Sequence, residues 1–252
     1  MKWELQIGLL VLAWVLVPSV QAAPTVDLTA IGSSGSINGA YFEQIDPSST
    51  GTGLITSFVR IQKNPIERGY NTSHRPVEFD EKTDGNFTRS LLLGAVPLVM
   101  KNDALYREFL LDIHEAGGTQ GLLSLDTIEI YLAGAGDLTG YPNLGTKIFD
   151  LDAGGDAWIL LDGNLTSGSG AGDMFAYIPN SLFTGGPYVY LYSQFGASES
   201  SACGADGTFE EWAVRIGVEM SPPPSHTPVP GALLLAFTGA NLAIWWHRRR
   251  RA

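Results

Sequence analysis

The sequence predicts an all-β fold, an antiparallel β-sandwich of the jelly-roll or lectin-like type, with an N-terminal signal helix and a C-terminal transmembrane helix. Thirty glycines and fourteen prolines among 252 residues, with only 16% charged residues, are typical of many short strands joined by turns. Apolar and polar residues alternate along several segments, and a period of two places one face of a strand in a core and the other towards water. Two long apolar stretches lie at the ends of the chain.

Three segments alternate most clearly, and in each the residues of one parity are predicted to face the core. These residues are Ile128, Ile130 and Leu132 of LDTIEIYL, Trp212, Val214 and Ile216 of FEEWAVRIG, and Val189, Leu191 and Ser193 of PYVYLYSQF. Further strands are predicted over 54–61, 87–93 and 157–161, with glycine turns between them. No linker interrupts this body, so we predict one domain over 23–220.

The segment over 100–116 has two interpretations. As a helix, ALYREFLLDIHEA would place Leu105, Phe109 and Ile113 on one face, whereas as a strand it would point Phe109, Leu111 and Ile113 inward. The preceding VPLVM and the Lys-Asn-Asp that follows it are typical of a strand and a turn. We therefore favour a hairpin, with the helix as the alternative.

The N-terminus over 1–22 has the features of a secretory signal peptide. A lysine is followed by an apolar stretch from Ile7 to Val17 and then by small residues, so we predict cleavage between Ala22 and Ala23. At the other end, a proline-rich spacer over 221–230 leads into an apolar segment over 231–246. Counted from Val229, this segment reaches roughly the 17-residue lower limit for a helix that spans a bilayer.

The residues after the apolar segment predict its orientation in the membrane. Trp245 and Trp246 suit the headgroup zone, and the arginines Arg248, Arg249, Arg250 and Arg251 are expected to stay on the cytoplasmic side. We therefore predict a transmembrane helix over 231–246 and a cytoplasmic tail over 247–252. The domain over 23–220 would face the periplasm.

The order Pro228-Val229-Pro230, short apolar segment and terminal arginine cluster resembles a PEP-CTERM sorting signal. In this chain Val229 stands where the usual Val-Pro-Glu-Pro motif has its acidic residue. The resemblance implies a protein exported by a Gram-negative bacterium that makes exopolysaccharide, processed by an exosortase-type membrane enzyme. It further implies a final location at the cell surface or in the extracellular matrix. It covers about the last 25 residues, the length of one membrane span with its flanks.

The charge of the chain limits the classes of partner that it is expected to bind. The formal net charge of −11 becomes −15 once both ends are removed, because Lys2 and Glu4 cancel and four arginines are lost. Such a domain repels nucleic acid, which needs clustered Lys and Arg, and attracts divalent cations. In DLDAGGD, the carboxylates of Asp150, Asp152 and Asp156 surround a glycine turn, so we predict a structural Ca²⁺ ion there. The alternative is that these residues only form turns.

A row of tyrosines is the candidate ligand site. Tyr188, Tyr190 and Tyr192 have two-residue spacing and would share one face of a strand, where their rings could stack on sugars. Alternatively, they pack beneath a loop with their hydroxyl groups at the rim. Signatures of known enzymes are absent from the sequence, so no catalytic residue is predicted. We predict a non-catalytic module that binds exopolysaccharide or has a structural role, with a secreted or periplasmic polysaccharide hydrolase as the alternative.

Overall fold

A computed structural model of the protein describes residues 26–45, 55–115, 118, 121–166, 172–197 and 203–217. Within these residues the chain forms two seven-stranded sheets and no α-helix. All strand pairs are antiparallel except that of β1 with β11, which is parallel. The strands are β1 Val26–Asp27, β2 Ser34–Ile37, β3 Ala40–Gln44, β4 Ile55–Ile61, β5 Glu67–Tyr70, β6 Leu91–Leu92, β7 Leu98–Lys101, β8 Ala104–Ile113, β9 Leu122–Ala133, β10 Thr146–Asp150, β11 Ile159–Asp162, β12 Met174–Pro179, β13 Tyr188–Phe195 and β14 Glu210–Arg215.

The strand order shows how the two sheets are built. The first sheet has the order β1-β11-β9-β13-β5, with β10 also paired to β9 and β6 to β13. The second has the order β2-β3-β12-β8-β14-β4, with β7 also paired to β8. One apolar core contains inward-facing residues from both sheets, so the two sheets pack face to face as a sandwich. The predicted all-β class is confirmed.

The predicted alternation decides which residues enter this core. Ile128, Ile130 and Leu132 of β9 and Val189 and Leu191 of β13 are buried there, together with Trp212 and Val214 of β14. Ser193 also points inward: the Trp212 indole Nε1 donates a hydrogen bond to its hydroxyl oxygen at 3.0 Å, across the interior. The prediction for Ile216 is wrong, because β14 ends at Arg215 and the Ile216 side chain is 56% exposed.

The hairpin predicted over residues 100–116 is confirmed. Strands β7 and β8 pair from Leu98 opposite Arg107 to Lys101 opposite Ala104. The two turn residues between them, Asn102 and Asp103, have φ angles of 50° and 61°. Two consecutive positive φ angles are typical of the tight turn whose twist suits a β-hairpin, and Asn and Asp tolerate them well.

The strand predicted over 87–93 is mostly wrong. Only Leu91–Leu92 is a strand, Phe87 lies in a turn, and Leu93–Ala95 forms a 3₁₀ helix. The Phe87 ring lies beneath the Arg60 guanidinium, whose central carbon is 3.7 Å from the ring centroid. The apolar residues of this segment therefore pack individually and not along a continuous strand.

Both predicted end segments lie outside the described residues. These are the signal peptide with its cleavage site at Ala22 and Ala23, and the tail that contains Pro228, Val229, Pro230, Trp245, Trp246 and Arg248 to Arg251. No helix within the described part of the chain is long and apolar enough to cross a membrane. The single cysteine, Cys203, is buried, and its carbonyl oxygen accepts a hydrogen bond from Ser124 Oγ at 3.3 Å.

Candidate ligand-binding face

The predicted tyrosine row lies on the outer face of the first sheet, but the rings are not presented to a ligand. Tyr190 and Tyr192 are 1% and 3% exposed, and Tyr188 is half-buried. Together with Tyr70 of β5 and Tyr131 of β9 they form a second apolar cluster on this face. We call Tyr70, Tyr131, Tyr190 and Tyr192 the first-sheet tyrosine face. The row therefore packs beneath loops, which corrects the expectation of an open stacking surface.

Two loops cover the first-sheet tyrosine face. The loop after β5 contributes Phe79, and the loop between β9 and β10 contributes Leu138 and Tyr141. The Tyr141 ring stacks on Tyr192 with centroids 4.0 Å apart and an interplanar angle of 16°. The Tyr190 hydroxyl donates to the Ala135 carbonyl at 2.8 Å and accepts from the Leu138 N–H at 2.9 Å. Ring packing and hydroxyl bonding together fix the covering loop.

The two loops also bind each other. Glu78 in the first loop accepts hydrogen bonds from the Gly140 and Tyr141 N–H groups at 3.0 and 3.3 Å, and from the Tyr70 hydroxyl. Partial burial alone would raise the pKa of the Glu78 carboxyl, but these three donors outweigh burial and leave the pKa below its usual value. Burial and the neighbouring Glu78 carboxylate raise the pKa of Tyr70, so its hydroxyl stays protonated as a donor.

The predicted calcium loop is not formed as a ligand set. Among the described residues, no group of three or more His, Cys, Asp or Glu side chains is placed to hold a metal ion. Asp150 accepts from Lys147 Nζ at 2.7 Å and from the Asp152 N–H at 2.9 Å, and Asp152 accepts from the Ala157 N–H at 2.9 Å. Asp156 is exposed. These carboxylates therefore close turns and an ion pair, the alternative that the sequence left open.

The outer face of the second sheet carries a different set of tyrosines. Alternation along β3, β12 and β8 places Phe42, Ala176 and Phe109 in the core. The neighbouring positions of opposite parity therefore point outward. They are Tyr41, Tyr177 and Tyr106, which we call the second-sheet tyrosine face.

The rings of the second-sheet tyrosine face are close together, and two are partly exposed. Tyr41 and Tyr177 are directly opposite in register, with ring centroids 6.2 Å apart. Tyr106 meets Tyr177 edge-on at 6.4 Å. Tyr177 is 7% exposed, whereas Tyr41 and Tyr106 are half-buried. The set therefore has a buried central ring flanked by two rings that solvent can reach.

Charged pairs border these rings. Lys101 forms an ion pair with Glu43, and its Nζ lies 4.7 Å from the centroid of Tyr41 and 4.5 Å from that of Tyr177. On the other side, Arg215 donates from Nε and Nη2 to the two carboxylate oxygens of Glu108, both at 2.5 Å. Each cation is thus matched by a carboxylate, and the face offers hydrogen-bonding groups with little net charge.

This arrangement has the elements of a carbohydrate-binding surface. Flat, partly exposed rings can cover the apolar face of a sugar, and their hydroxyl groups and the bordering ion pairs can exchange hydrogen bonds with its hydroxyls. Sequence inspection missed this face because β3 and β12, which carry Tyr41 and Tyr177, were not among the predicted strands. Its three tyrosines also come from strands far apart in the chain, so only the parity of each tyrosine within its own strand could have indicated that they share a face.

Pairing between strands explains why these separate residues meet. Strand β12 lies between β3 and β8, so Tyr177 has Tyr41 opposite it on one side and Glu108 on the other. Compared with known proteins, the chain matches no family model, no curated protein and no solved structure. A functional conclusion therefore depends on the side chains described above.

Proposed function

We propose that the chain is an exported, non-catalytic module that binds neutral exopolysaccharide through the second-sheet tyrosine face. The observation that carries this proposal is the cluster of Tyr41, Tyr106 and Tyr177 with its bordering ion pairs. The two-sheet architecture supports a lectin-like or jelly-roll sandwich, a group of folds that includes lectin domains.

The location of the protein is part of the same proposal. The N-terminal segment would direct export, and the segment over 231–246 would hold the chain in the inner membrane of a Gram-negative bacterium with the domain in the periplasm. An exosortase-type enzyme acting at Pro228-Val229-Pro230 would then release it to the cell surface or matrix. The resemblance of the tail supports these steps, which do not depend on the ligand.

A neutral polymer is the better ligand on electrostatic grounds. The exported part carries a formal charge of −15, and Lys101 and Arg215 are already neutralised by Glu43 and Glu108. An anionic polymer would meet long-range repulsion at low ionic strength. Binding of a neutral polymer should change little between low and high salt, whereas binding of a polyanion should strengthen as salt screens the repulsion.

The test compares rings on the two outer faces. The purified full-length chain is titrated with native exopolysaccharide, and the expected result is saturable binding without new reducing ends. Tyr41→Ala with Tyr106→Ala should weaken binding about tenfold, equivalent to roughly 1.4 kcal/mol. Tyr188→Ala, a half-buried tyrosine on the first sheet, is the matched control and should leave affinity unchanged.

Two results would contradict the proposal. New reducing ends would identify the hydrolase alternative. Loss of binding in Tyr188→Ala with full binding in the Tyr41→Ala, Tyr106→Ala variant would move the site to the first sheet. The unfolding midpoint of each variant is measured in parallel, so that a loss of fold is separated from a loss of contact.

A further inference from the structure

Four acidic side chains lie near one another where the two sheets meet at one end of the sandwich. Glu67 begins β5 of the first sheet, and Glu210 begins β14 of the second sheet, with the same parity as the inward-facing Trp212 and Val214. Glu115 lies just after the end of β8, two residues beyond the inward-facing Ile113, and so continues the inward-facing row of that strand. Asp206 lies in the segment before β14. We call Glu67, Glu115, Asp206 and Glu210 the carboxyl cluster.

Burial removes Glu67 and Glu210 of the carboxyl cluster from water. The side chains of Glu67 and Glu210 are 0% exposed, and Glu115 is half-buried. Glu67 Oε1, Glu115 Oε1 and both carboxylate oxygens of Glu210 are buried without a hydrogen-bond partner. An ionised carboxylate held in this way is strongly disfavoured unless a proton or an opposite charge neutralises it.

Direct contacts connect the members from different elements. Glu115 Oε2 accepts a hydrogen bond from the Asp206 N–H at 3.2 Å, which brings these two residues together. Glu67 Oε2 accepts from the Lys63 N–H at 2.8 Å, which leaves its other oxygen without a donor.

The register places Glu210 at the same end. Its neighbours across the two adjacent strands are Ile61 of β4 and Ile113 of β8, both of which point into the core. Ile113 lies two residues before Glu115. The segment that contains Asp206 is joined to the residues before β5 by a hydrogen bond from the Ala205 N–H to the Pro65 carbonyl, at 2.9 Å.

The charged groups around the cluster are mainly acidic. Asp80 acts electrostatically on Glu67 from the loop after β5, and its carboxylate also holds Lys63 Nζ at 2.9 Å. On β8, Asp112 lies 3.9 Å from His114 Nδ1, and the imidazole stacks on Phe209. Asp173 accepts from the Ile113 N–H at 2.7 Å and is itself buried. Among these neighbours, Asp80 disfavours ionisation of Glu67.

Burial raises the pKa of Glu67 to about 8, with further contributions from the charges of Asp80 and Asp206. Burial likewise raises the pKa of Glu115 to about 8, and the Asp206 charge adds to this effect. These shifts favour the protonated form of both groups at neutral pH, in agreement with the buried oxygens that lack hydrogen-bond partners.

We propose that the carboxyl cluster is a proton-binding site that joins the two sheets, and that loss of its protons separates them at this end of the sandwich. In the protonated form, Glu115 and Asp206 are hydrogen-bonded and Glu67 and Glu210 are neutral, so the end stays closed. In the ionised form, like charges would face each other at a place where Glu67 and Glu210 have no access to water. The segment over 203–209 would then be released from the core.

The direction of the pH effect follows from proton linkage. The folded-state pKa values of Glu67 and Glu115 lie above the ordinary value of 4.5, so the folded chain binds more protons than the unfolded chain between these limits. The stabilisation is complete below pH 4.5 and is lost as the pH rises towards about 8. Above that pH the contribution of the two groups no longer changes.

The test uses Cys203, the only thiol in the chain, as a local reporter of opening. The full-length chain is labelled with an uncharged thiol reagent from about pH 5.5 to about pH 8.5. Rates are corrected for thiol ionisation with the urea-unfolded chain. For one proton released per opening event, labelling of the wild type should rise about tenfold per pH unit up to about pH 8 and level off above it.

Glutamine mimics the protonated carboxyl, so Glu67→Gln should remove most of this slope and should label more slowly than the wild type at the highest pH. Glu115→Gln, at a half-buried position, is the second variant in case Glu67→Gln does not fold. Glu78→Gln, which alters a carboxylate on the first sheet, should keep the wild-type slope.

Two outcomes would overturn the proposal. One is a wild-type labelling rate that is independent of pH after correction. The other is suppression of labelling by millimolar Ca²⁺ and its restoration by a chelator at about pH 8.5, which would show that the cluster takes a divalent cation and not protons. A slope in the wild type that is absent from both glutamine variants and unaffected by Ca²⁺ supports it.

Discussion

The two outer faces of the sandwich carry similar side chains but have different surroundings. On the first-sheet tyrosine face, two loops pack over the rings, and Tyr190 and Tyr192 are almost completely buried. On the second-sheet tyrosine face, Tyr41 and Tyr106 remain half-exposed beside charged pairs. The comparison shows that the spacing of tyrosines identifies a face but not its accessibility, because accessibility is decided by loops from other parts of the chain.

The carboxylates of the two faces are alike in one respect. Glu78 on the first face is bonded by backbone N–H groups and a tyrosine hydroxyl, and Glu108 on the second is held by both ends of the Arg215 guanidinium. Both are fully supplied with donors, unlike Glu67 and Glu210 at the end of the sandwich. The carboxylates of the two faces are therefore neutralised by hydrogen bonds or an ion pair, whereas those at the end of the sandwich are not.

The largest expected difference between the faces is in core stability. Tyr190→Ala should lower the free energy of unfolding by about 3–5 kcal/mol, because it leaves a cavity and removes the partner of the Ala135 carbonyl. Tyr41→Ala removes a half-exposed ring and should cost about 1 kcal/mol. Urea denaturation of both variants checks the ranking. Equal costs would mean that the first face is not covered as described.

A smaller effect on the free energy of unfolding is expected at Asn71, where the loop after β5 leaves the first sheet. Asn71 is fully buried, and its amide donates to the Val189 carbonyl at 2.8 Å and accepts from the Leu191 N–H at 2.6 Å. Asn71→Ala should cost about 2–4 kcal/mol, since each buried backbone group left without a partner costs ~1–3 kcal/mol.

The matched control for Asn71→Ala is Asn86→Ala. Asn86 is an exposed asparagine in the same loop, and its replacement should change the free energy of unfolding by less than about 0.5 kcal/mol. If the two alanine variants unfold at the same urea concentration, the hydrogen bonds of Asn71 to β13 do not contribute to stability as expected.

The smallest effect is expected at the contact between the two covering loops. Glu78→Gln should cost below about 1 kcal/mol at neutral pH, because Glu78 is an exposed side chain. Hydrogen bonding holds the pKa of Glu78 below 4.5, so its contribution is present above that pH and is lost as the pH falls through the folded-state value.

Chemical denaturation at about pH 7 and about pH 3 measures this contribution, which should be smaller at the lower pH. The stabilisation by the carboxyl cluster has the opposite pH dependence, because it is lost as the pH rises. A Glu78→Gln cost that is the same at both pH values would show that its charge does not matter.

Local patterns predicted about half of the fourteen strands but little of the site. Alternation placed β9, β13 and β14 correctly, and the Asn102-Asp103 pair marked the hairpin, because these signals act between near neighbours. The covering of Tyr190 depends on loops more than 50 residues distant, as its hydrogen bonds to Ala135 and Leu138 show. The parity of Glu210 with Trp212 did carry a signal, since it places a carboxylate on the inward row of β14.

The bond between Trp212 Nε1 and Ser193 Oγ has a consequence for how the sandwich moves. Two apolar sheet faces can shift laterally against each other with little change in buried area, since dispersion contacts have no preferred direction. A directional bond between the layers resists such slip but permits tilting about it. If the sheets separate at the end that holds the carboxyl cluster, the separation would therefore rotate about the Trp212 indole, and the opposite end of the sandwich would stay packed.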